Sequence, residues 1–298
     1  DIDTYNLCPE SILKNISPQT KAIMVVDIFG QSADMDVIME IAKEYKLKVI
    51  SDAAQAPGAL YGDRYAGTCA DVGGFSLNYH KHIHTGEGGI LVTNDDDIAE
   101  RLQLIRNHAE VVVEDKGVTN LTNMVGHNFR LGEIECAMGI EQLKKLKGLV
   151  ESRQMLAESL TEGLKSLDGL KTPTQFTNRS HVYYVYAMQL DLELLKASRQ
   201  EIVDALAAEG VIVSSSYQNI HLIPLYQKKI AFGSQGFPWT SEFCKREISY
   251  KKGICPNAEY LNDNSYMGFG MCVYDLTIED IQLIIKSFHK VWRNLDNL

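Results

Sequence analysis

The order of apolar and polar positions in the first part of the chain predicts alternating strands and helices. Residues 22–29 are mostly apolar and rich in β-branched side chains, which is typical of a buried parallel strand. Apolar residues then recur at every third or fourth position, which predicts a helix over residues 34–45. Residues 48–51 predict a second strand. Because a strand, a helix and a strand in this order form a βαβ unit, we expect a parallel sheet.

The same patterns continue along the chain and divide it into two parts. They favour an α/β fold with a mainly parallel sheet flanked by helices over residues 1–147, and a smaller α+β domain over residues 148–298. The further elements that they predict are strands near 71–77 and 89–93, a helix over 95–107, a long helix over 131–167 with a break at Gly148, a strand over 181–190, a helix over 198–209, a strand over 211–214 and a helix over 276–295.

Composition narrows the class of protein. The chain has 298 residues, of which 45% are hydrophobic and 23% charged, as in an ordinary globular protein. The net charge of −10 argues against nucleic acid or an anionic membrane as a partner. No apolar run reaches the roughly 18 residues of a membrane span. The six scattered cysteines suit reduced thiols, so we expect a cytoplasmic protein without a signal peptide.

Residues 74–89 carry the most informative chemistry in the chain. Lys81 follows Ser76 by five positions and precedes a glycine-rich turn. A lysine amine can form a Schiff base with an aldehyde cofactor, and a serine hydroxyl can hold a phosphate. Asp52 follows the strand over 48–51, at the edge where open α/β sheets bind their ligands. This pattern indicates a site for an aldehyde cofactor that carries a phosphate.

Several segments, taken in order, resemble the DegT/DnrJ/EryC1/StrS family of sugar aminotransferases. These are pyridoxal 5'-phosphate enzymes of fold type I, so the resemblance implies that fold and that cofactor. The likeness starts partway into the family pattern, which implies that the amino-terminal part of the large domain is lacking, and it thins beyond about residue 235. The segments that carry it are residues 20–23, 30–36, 52–55, 86–89, 93–95, 106–108 and 126–130.

The resemblance implies a role for each residue of the cofactor site. Lys81 would anchor the cofactor and act as the catalytic base. Asp52 would hold its pyridine nitrogen, Gln55 would bind its ring hydroxyl, and Ser76 would bind its phosphate. Asn128 would reach the phosphate in the neighbouring subunit, which implies a homodimer. The alternative for Asn128 is a cap on its own helix.

The family also implies a substrate and a reaction. The reaction would convert a keto sugar, in nucleotide-linked form, to an amino sugar with glutamate or glutamine as donor. Tyr217 and His221 lie in a segment similar to one on the substrate side of the family's site. A related sugar 3-dehydratase has histidine at the lysine position, so Lys81 favours transamination. Residues 266–275 depart from the family pattern, which suggests a different substrate pocket.

Three alternatives remain open. Histidines 80, 82 and 84 alternate around the lysine and could form a metal site, although the family uses none and we expect none. A sugar dehydratase of the same fold is a second possibility. A truncated or regulatory homologue without catalysis is the third. Asn78 and Asp27 also stand where the family often has histidine, which leaves the substrate and the cofactor's orientation open.

Overall fold

The computed structural model describes residues 1–109, 117–244 and 246–298. The strands are β1 (Ala22–Val26), β2 (Lys48–Asp52), β3 (Leu60–Tyr61), β4 (Arg64–Tyr65), β5 (Val72–Ser76), β6 (Gly89–Val92), β7 (Leu170–Lys171), β8 (Tyr186–Leu190) and β9 (Tyr266–Phe269). The α-helices are α1 (Pro9–Asn15), α2 (Met35–Glu44), α3 (Asp96–Arg106), α4 (Glu133–Leu164), α5 (Leu192–Leu195), α6 (Arg199–Ala208), α7 (Pro224–Gln227), α8 (Pro256–Tyr260) and α9 (Ile278–Trp292).

A four-stranded sheet organises the first half of the molecule. Its strand order is β1-β2-β5-β6, with β1, β2 and β5 parallel and β6 antiparallel to β5. The predicted, mainly parallel sheet is therefore confirmed. Parallel strands have their carboxyl ends at the same edge of the sheet. Asp52 at the end of β2 and Ser76 at the end of β5 therefore lie at that carboxyl edge.

A second, antiparallel sheet organises the later half. β8 lies between β7 and β9, and α6 and α9 pack with the second half of α4 around it. The large apolar core there runs from Leu156 to Val291, whereas the main core of the first half runs from Ile12 to Cys69. This separation agrees with the two-domain division at residue 148, which itself stays a prediction.

Side-chain caps explain where three of the predicted helices begin. Asp95 accepts a hydrogen bond from the backbone N–H of Ile98 at the start of α3. Ser198 and Glu201 form a capping box at α6, and Thr277 forms a second one at α9. Such caps satisfy backbone donors that have no partner inside the helix. The helix starts could therefore be located closely from sequence.

The predicted break at Gly148 is wrong. α4 runs without interruption from Glu133 to Leu164. Glycine inside a helix costs about 1 kcal/mol relative to alanine, but Leu146 and Val150 on either side pack on the alanine-rich cluster around Ala53. That packing holds the helix together across the glycine.

Three predicted strands also need correction. The strand over 22–29 ends at Val26, because Asp27 leads into a tight turn in which Phe29 has a φ of 58°. The strand over 181–190 begins only at Tyr186, since Tyr183 also has a positive φ of 52°. Residues 211–214 form no strand, and only Ser214 makes a single bridge, to Gly268.

Apolar side chains remain exposed around the first half of α4. Ile134 is 75% exposed and Leu143 61%, and Leu91 on the edge strand β6 is 59% exposed. A cavity of about 720 Å³ lies between this helix and the sheet and is bordered by Phe75 and Ser76. Of the helices in the described residues, none is both long and apolar enough to cross a membrane.

Candidate active site

Two predicted site residues lie at the carboxyl edge of the sheet. Asp52 accepts a hydrogen bond from the backbone N–H of Ala54 at 3.1 Å through one carboxylate oxygen. Ser76 accepts one from the backbone N–H of Asn78 at 3.2 Å. Both side chains are half-buried. The edge thus offers a carboxylate and a hydroxyl from adjacent parallel strands.

Lys81 stands in a turn that follows β5. Its backbone N–H donates to the carbonyl of Asn78 at 3.0 Å, and the Asn78 side chain donates to Glu87 at 2.7 Å. The amine Nζ lies 4.3 Å from the ring centroid of Tyr184. Burial lowers the pKa of Lys81, while the charge of Asp52 opposes this shift. The amine is therefore partly desolvated and within electrostatic reach of the Asp52 carboxylate.

Gln55 connects this edge to the later half of the chain. Its Oε1 accepts a hydrogen bond from the backbone N–H of Phe29 at 2.7 Å. Its Nε2 donates to the hydroxyl of Tyr217 at 2.9 Å. Both ends of the buried amide thus have protein partners. A bond to a cofactor hydroxyl would use the second Nε2 hydrogen, so the predicted role of Gln55 stays a prediction.

The two predicted substrate-side residues have different surroundings. Tyr217 meets the ring of Phe29 edge-to-face with centroids 5.4 Å apart, so it lies beside Gln55. His221 instead points its Nε2 at Glu259, 2.9 Å from Oε1, and its side chain is only 11% exposed. The structure thus joins Tyr217 to the cofactor-side residues, while His221 has a protein partner of its own.

Asn128 lies in an exposed segment before α4. It forms an isolated bridge with Asn107. The N-cap of α4 is Gly132, four residues later, so the alternative that Asn128 caps its own helix is wrong. The predicted contact with a neighbouring subunit's phosphate stays a prediction.

The three histidines around Lys81 do not converge. His82 is buried, with Nδ1 2.9 Å from Nη1 of Arg153, and burial together with that positive charge lowers the pKa of His82 to about 3. The His80 ring lies near Tyr184, whereas His84 accepts from the amide two residues on. Within the described residues, no group of three or more metal-binding side chains comes together. His82 instead ties the Lys81 turn to α4.

Asp27, where the family often has histidine, is fully buried. It accepts hydrogen bonds from the Ser51 hydroxyl at 2.7 Å and the Ala33 backbone at 3.0 Å. Burial raises the pKa of Asp27. Its carboxyl group therefore closes the end of β1 against β2 and the following turn.

Two residues beside the Lys81 turn were not predicted as site residues from the sequence. Tyr184, beside the Lys81 amine, sits in a stretch that predicts only a strand. Cys272 lies 3.5 Å from a ring nitrogen of His82, and burial raises the pKa of its thiol to about 11. Cys272 does fall in residues 266–275, the stretch that departs from the family pattern. That departure was the one available pointer to it.

Comparisons with known proteins define the class. The chain is similar to DesV of S. venezuelae, with a TM-score of 0.79, 26% identity and coverage of 98% of this chain and 70% of that one. It also resembles an E. coli GDP-4-keto-6-deoxy-D-mannose-3-dehydratase with bound hydrated PLP, with a TM-score of 0.74, 24% identity and coverage of 97% and 72%. The fold is that of the fold type I pyridoxal phosphate enzymes, as predicted.

The chain belongs to the DegT/DnrJ/EryC1/StrS aminotransferase family, whose model matches residues 1–253. It is 32% identical to the uncharacterized protein MJ1066 of Methanocaldococcus jannaschii, over 98% of this chain and 72% of that protein. It is 34% identical to a GDP-perosamine synthase of Caulobacter vibrioides, over 76% and 60% respectively. It is 38% identical to a dTDP-3-amino-3,6-dideoxy-alpha-D-galactopyranose transaminase of Aneurinibacillus thermoaerophilus, over 64% and 51%.

The predicted cofactor is confirmed at the level of the family, whose members use pyridoxal phosphate. The residues at the sheet edge fit its functional groups. A desolvated amine suits the aldehyde, a carboxylate suits a protonated pyridine nitrogen, and a hydroxyl on the next strand suits a phosphate. Lys81, Asp52 and Ser76 supply these three groups.

Proposed function

We propose that this protein is a pyridoxal phosphate-dependent aminotransferase that converts a nucleotide-linked keto sugar to an amino sugar. The observation that carries the proposal is the Lys81 amine, which is half-buried, lies 4.3 Å from the ring centroid of Tyr184 and is within reach of the Asp52 charge at the carboxyl edge of the sheet. Family membership supports the same reaction class.

The lysine would act as nucleophile and as proton carrier. Since burial lowers its pKa, a larger fraction of the amine is neutral, and only the neutral form can attack an aldehyde or accept a proton. Asp52 would keep a pyridine nitrogen protonated through its negative charge. When bound, the cofactor supplies an electron-withdrawing ring that stabilises negative charge on a substrate carbon. Ser76 and Gln55 would orient it.

The substrate class rests on the relatives. A GDP-perosamine synthase and a dTDP-amino sugar transaminase both handle nucleotide-linked sugars by name. Because this chain spans only 60% and 51% of those two proteins, the whole enzyme's substrate is a proposal. Glutamate or glutamine as amino donor belongs to the same proposal. So does a cytoplasmic location, which the six unpaired cysteines support.

A homodimer is the assembly that we propose. Asn128 is exposed and lies just before α4, whose first half exposes Ile134, Met138, Ile140 and Leu143. An apolar surface of this kind favours burial against another protein surface. In this assembly, Asn128 would be the residue that reaches the neighbouring subunit's phosphate.

Two other functions compete with this one. A dehydratase shares the fold, but Lys81 stands where the related 3-dehydratase has histidine, which favours transamination. A homologue without catalysis would keep the fold and lack cofactor chemistry. The Lys81 amine, whose pKa is lowered by burial, favours the catalytic alternative over this one.

Cofactor capture by the purified protein separates these functions. We expect added pyridoxal phosphate to give a visible absorbance band that borohydride removes, leaving a stable mass adduct on Lys81. Lys81→Arg keeps the charge and serves as the control that should form no adduct. Incubation with nucleotide-linked keto sugars and glutamate or glutamine should then yield an amino sugar by mass spectrometry. A deoxy product without nitrogen would identify a dehydratase, and an absent adduct would reject the proposal.

A further inference from the structure

The chain after α8 forms a π-helical turn over Leu261–Ser265. Arg199 holds this turn by donating to the carbonyls of Leu261 at 3.3 Å and Asp263 at 3.0 Å. Turns of this type are rare and occur often at functional sites. A turn that is fixed in this way holds its side chains in defined directions.

Asn262, the second residue of the turn, binds the segment that carries Tyr217. Its Oδ1 accepts a hydrogen bond from the backbone N–H of Tyr217 at 2.6 Å. Its Nδ2 donates to the Asn219 side chain and to the Ala258 carbonyl, both at 3.0 Å. Because both ends of the amide have partners, its orientation is determined. Asn262 therefore fixes the backbone position of Tyr217.

Glu259, three residues earlier, binds the other end of the same segment. Its carboxylate accepts from Nε2 of His221 at 2.9 Å and from the backbone N–H groups of Gly253 and Cys255 at 2.7 to 3.2 Å. Burial alone would raise the pKa of Glu259, but these hydrogen bonds outweigh it and lower the pKa. The carboxylate is thus ionised and holds residues 253–255 and His221 together.

Glu259 and Asn262 together form a clamp on the segment that runs from Tyr217 to His221. This segment also contacts the cofactor-side residues. Tyr217 receives a hydrogen bond from Gln55, which follows Asp52 at the sheet edge. A shift of the Tyr217 backbone would therefore break or lengthen its bond with Gln55. No sequence pattern linked these residues, since Gln55, Tyr217 and Asn262 are far apart along the chain.

We propose that Asn262 and Glu259 are positioning residues that set where Tyr217 stands and thereby shape the side of the site that receives the sugar. This inference rests on the proposed aminotransferase function. The Tyr217 hydroxyl, already accepting from Gln55, can donate its own proton to an oxygen of a hydroxyl-rich substrate. The clamp thus determines the reach of that donor.

Steady-state kinetics of Asn262→Ala tests the clamp. We expect KM for the sugar to rise about tenfold, since a lost hydrogen bond of this kind corresponds to about 1.4 kcal/mol, with a smaller change in kcat and an unchanged cofactor absorbance. Asn264→Ala, an exposed asparagine two residues on, is the matched control and should leave KM unchanged. In a Tyr217→Phe background, Asn262→Ala should add little, because both changes act through one hydroxyl.

A second measurement does not depend on turnover. The backbone N–H of Tyr217 donates to Asn262, so its hydrogen exchange should quicken about tenfold or more in Asn262→Ala and stay unchanged in Asn264→Ala. Fully additive kinetic losses in the double variant, or unchanged exchange at Tyr217, would overturn the positioning role. An absence of turnover in the unaltered protein, with the exchange result as expected, would instead count against the aminotransferase proposal alone.

Discussion

Replacing Gln55 with leucine should destabilise the protein by an amount that can be worked out from its two hydrogen bonds. The substitution leaves the buried backbone N–H of Phe29 without its acceptor, which costs about 1–3 kcal/mol. It also removes the bond to the Tyr217 hydroxyl, which contributes about 1 kcal/mol. We therefore expect a loss of about 2–4 kcal/mol in the free energy of unfolding.

Urea denaturation of three variants isolates the Phe29 contribution. Tyr217→Phe removes only the second bond and should cost about 1 kcal/mol. Gln19→Leu, at an exposed glutamine, should change stability by less than about 0.5 kcal/mol. The urea concentration at the unfolding midpoint should fall while the m value stays unchanged, because the variants expose the same surface area on unfolding. If Gln55→Leu costs no more than Tyr217→Phe, the Phe29 bond does not stabilise the fold and the reasoning fails.

Four further predictions follow from the site and from α4. Lys81→Ala should abolish amino transfer while leaving circular dichroism unchanged, so retained turnover would remove the central claim. Asp52→Asn should bind cofactor yet turn over on the order of 10² more slowly, and a near-normal rate would make Asp52 a structural cap. Mixed dimers of Lys81→Ala and Asn128→Ala chains should regain activity at one site, and mixed dimers without activity would place Asn128 elsewhere. Gly148→Ala, with nothing within 4 Å of the added methyl, should raise stability by about 0.5–1 kcal/mol on thermal denaturation.

Much of the first half of the chain could be predicted because its signals are local. Strand and helix periods, together with capping residues such as Asp95, act over a few positions. The end of β2 follows from the same patterns, so Asp52 could be assigned to the carboxyl edge, whereas the end of β5 at Ser76 is seen only in the structure.

The parts that escaped prediction depend on contacts between distant residues. α4 passes through Gly148 because residues from another segment pack beside it. Likewise, Gln55 meets Tyr217 only after the two halves have come together, and Tyr217 meets Asn262, 45 residues further along, only after the later half has folded. Residues 211–214 are apolar enough for a strand, yet only Ser214 finds a backbone partner. Local periodicity carries no information about such pairings.

The unbroken course of α4 has a mechanical consequence. At 1.5 Å per residue, its 32 residues make a rod about 48 Å long. Its later half is embedded in the large apolar core, and Arg153 on it contacts His82 next to Lys81. A partner docked on the exposed early half would therefore contact the same continuous helix that carries Arg153 beside the Lys81 turn.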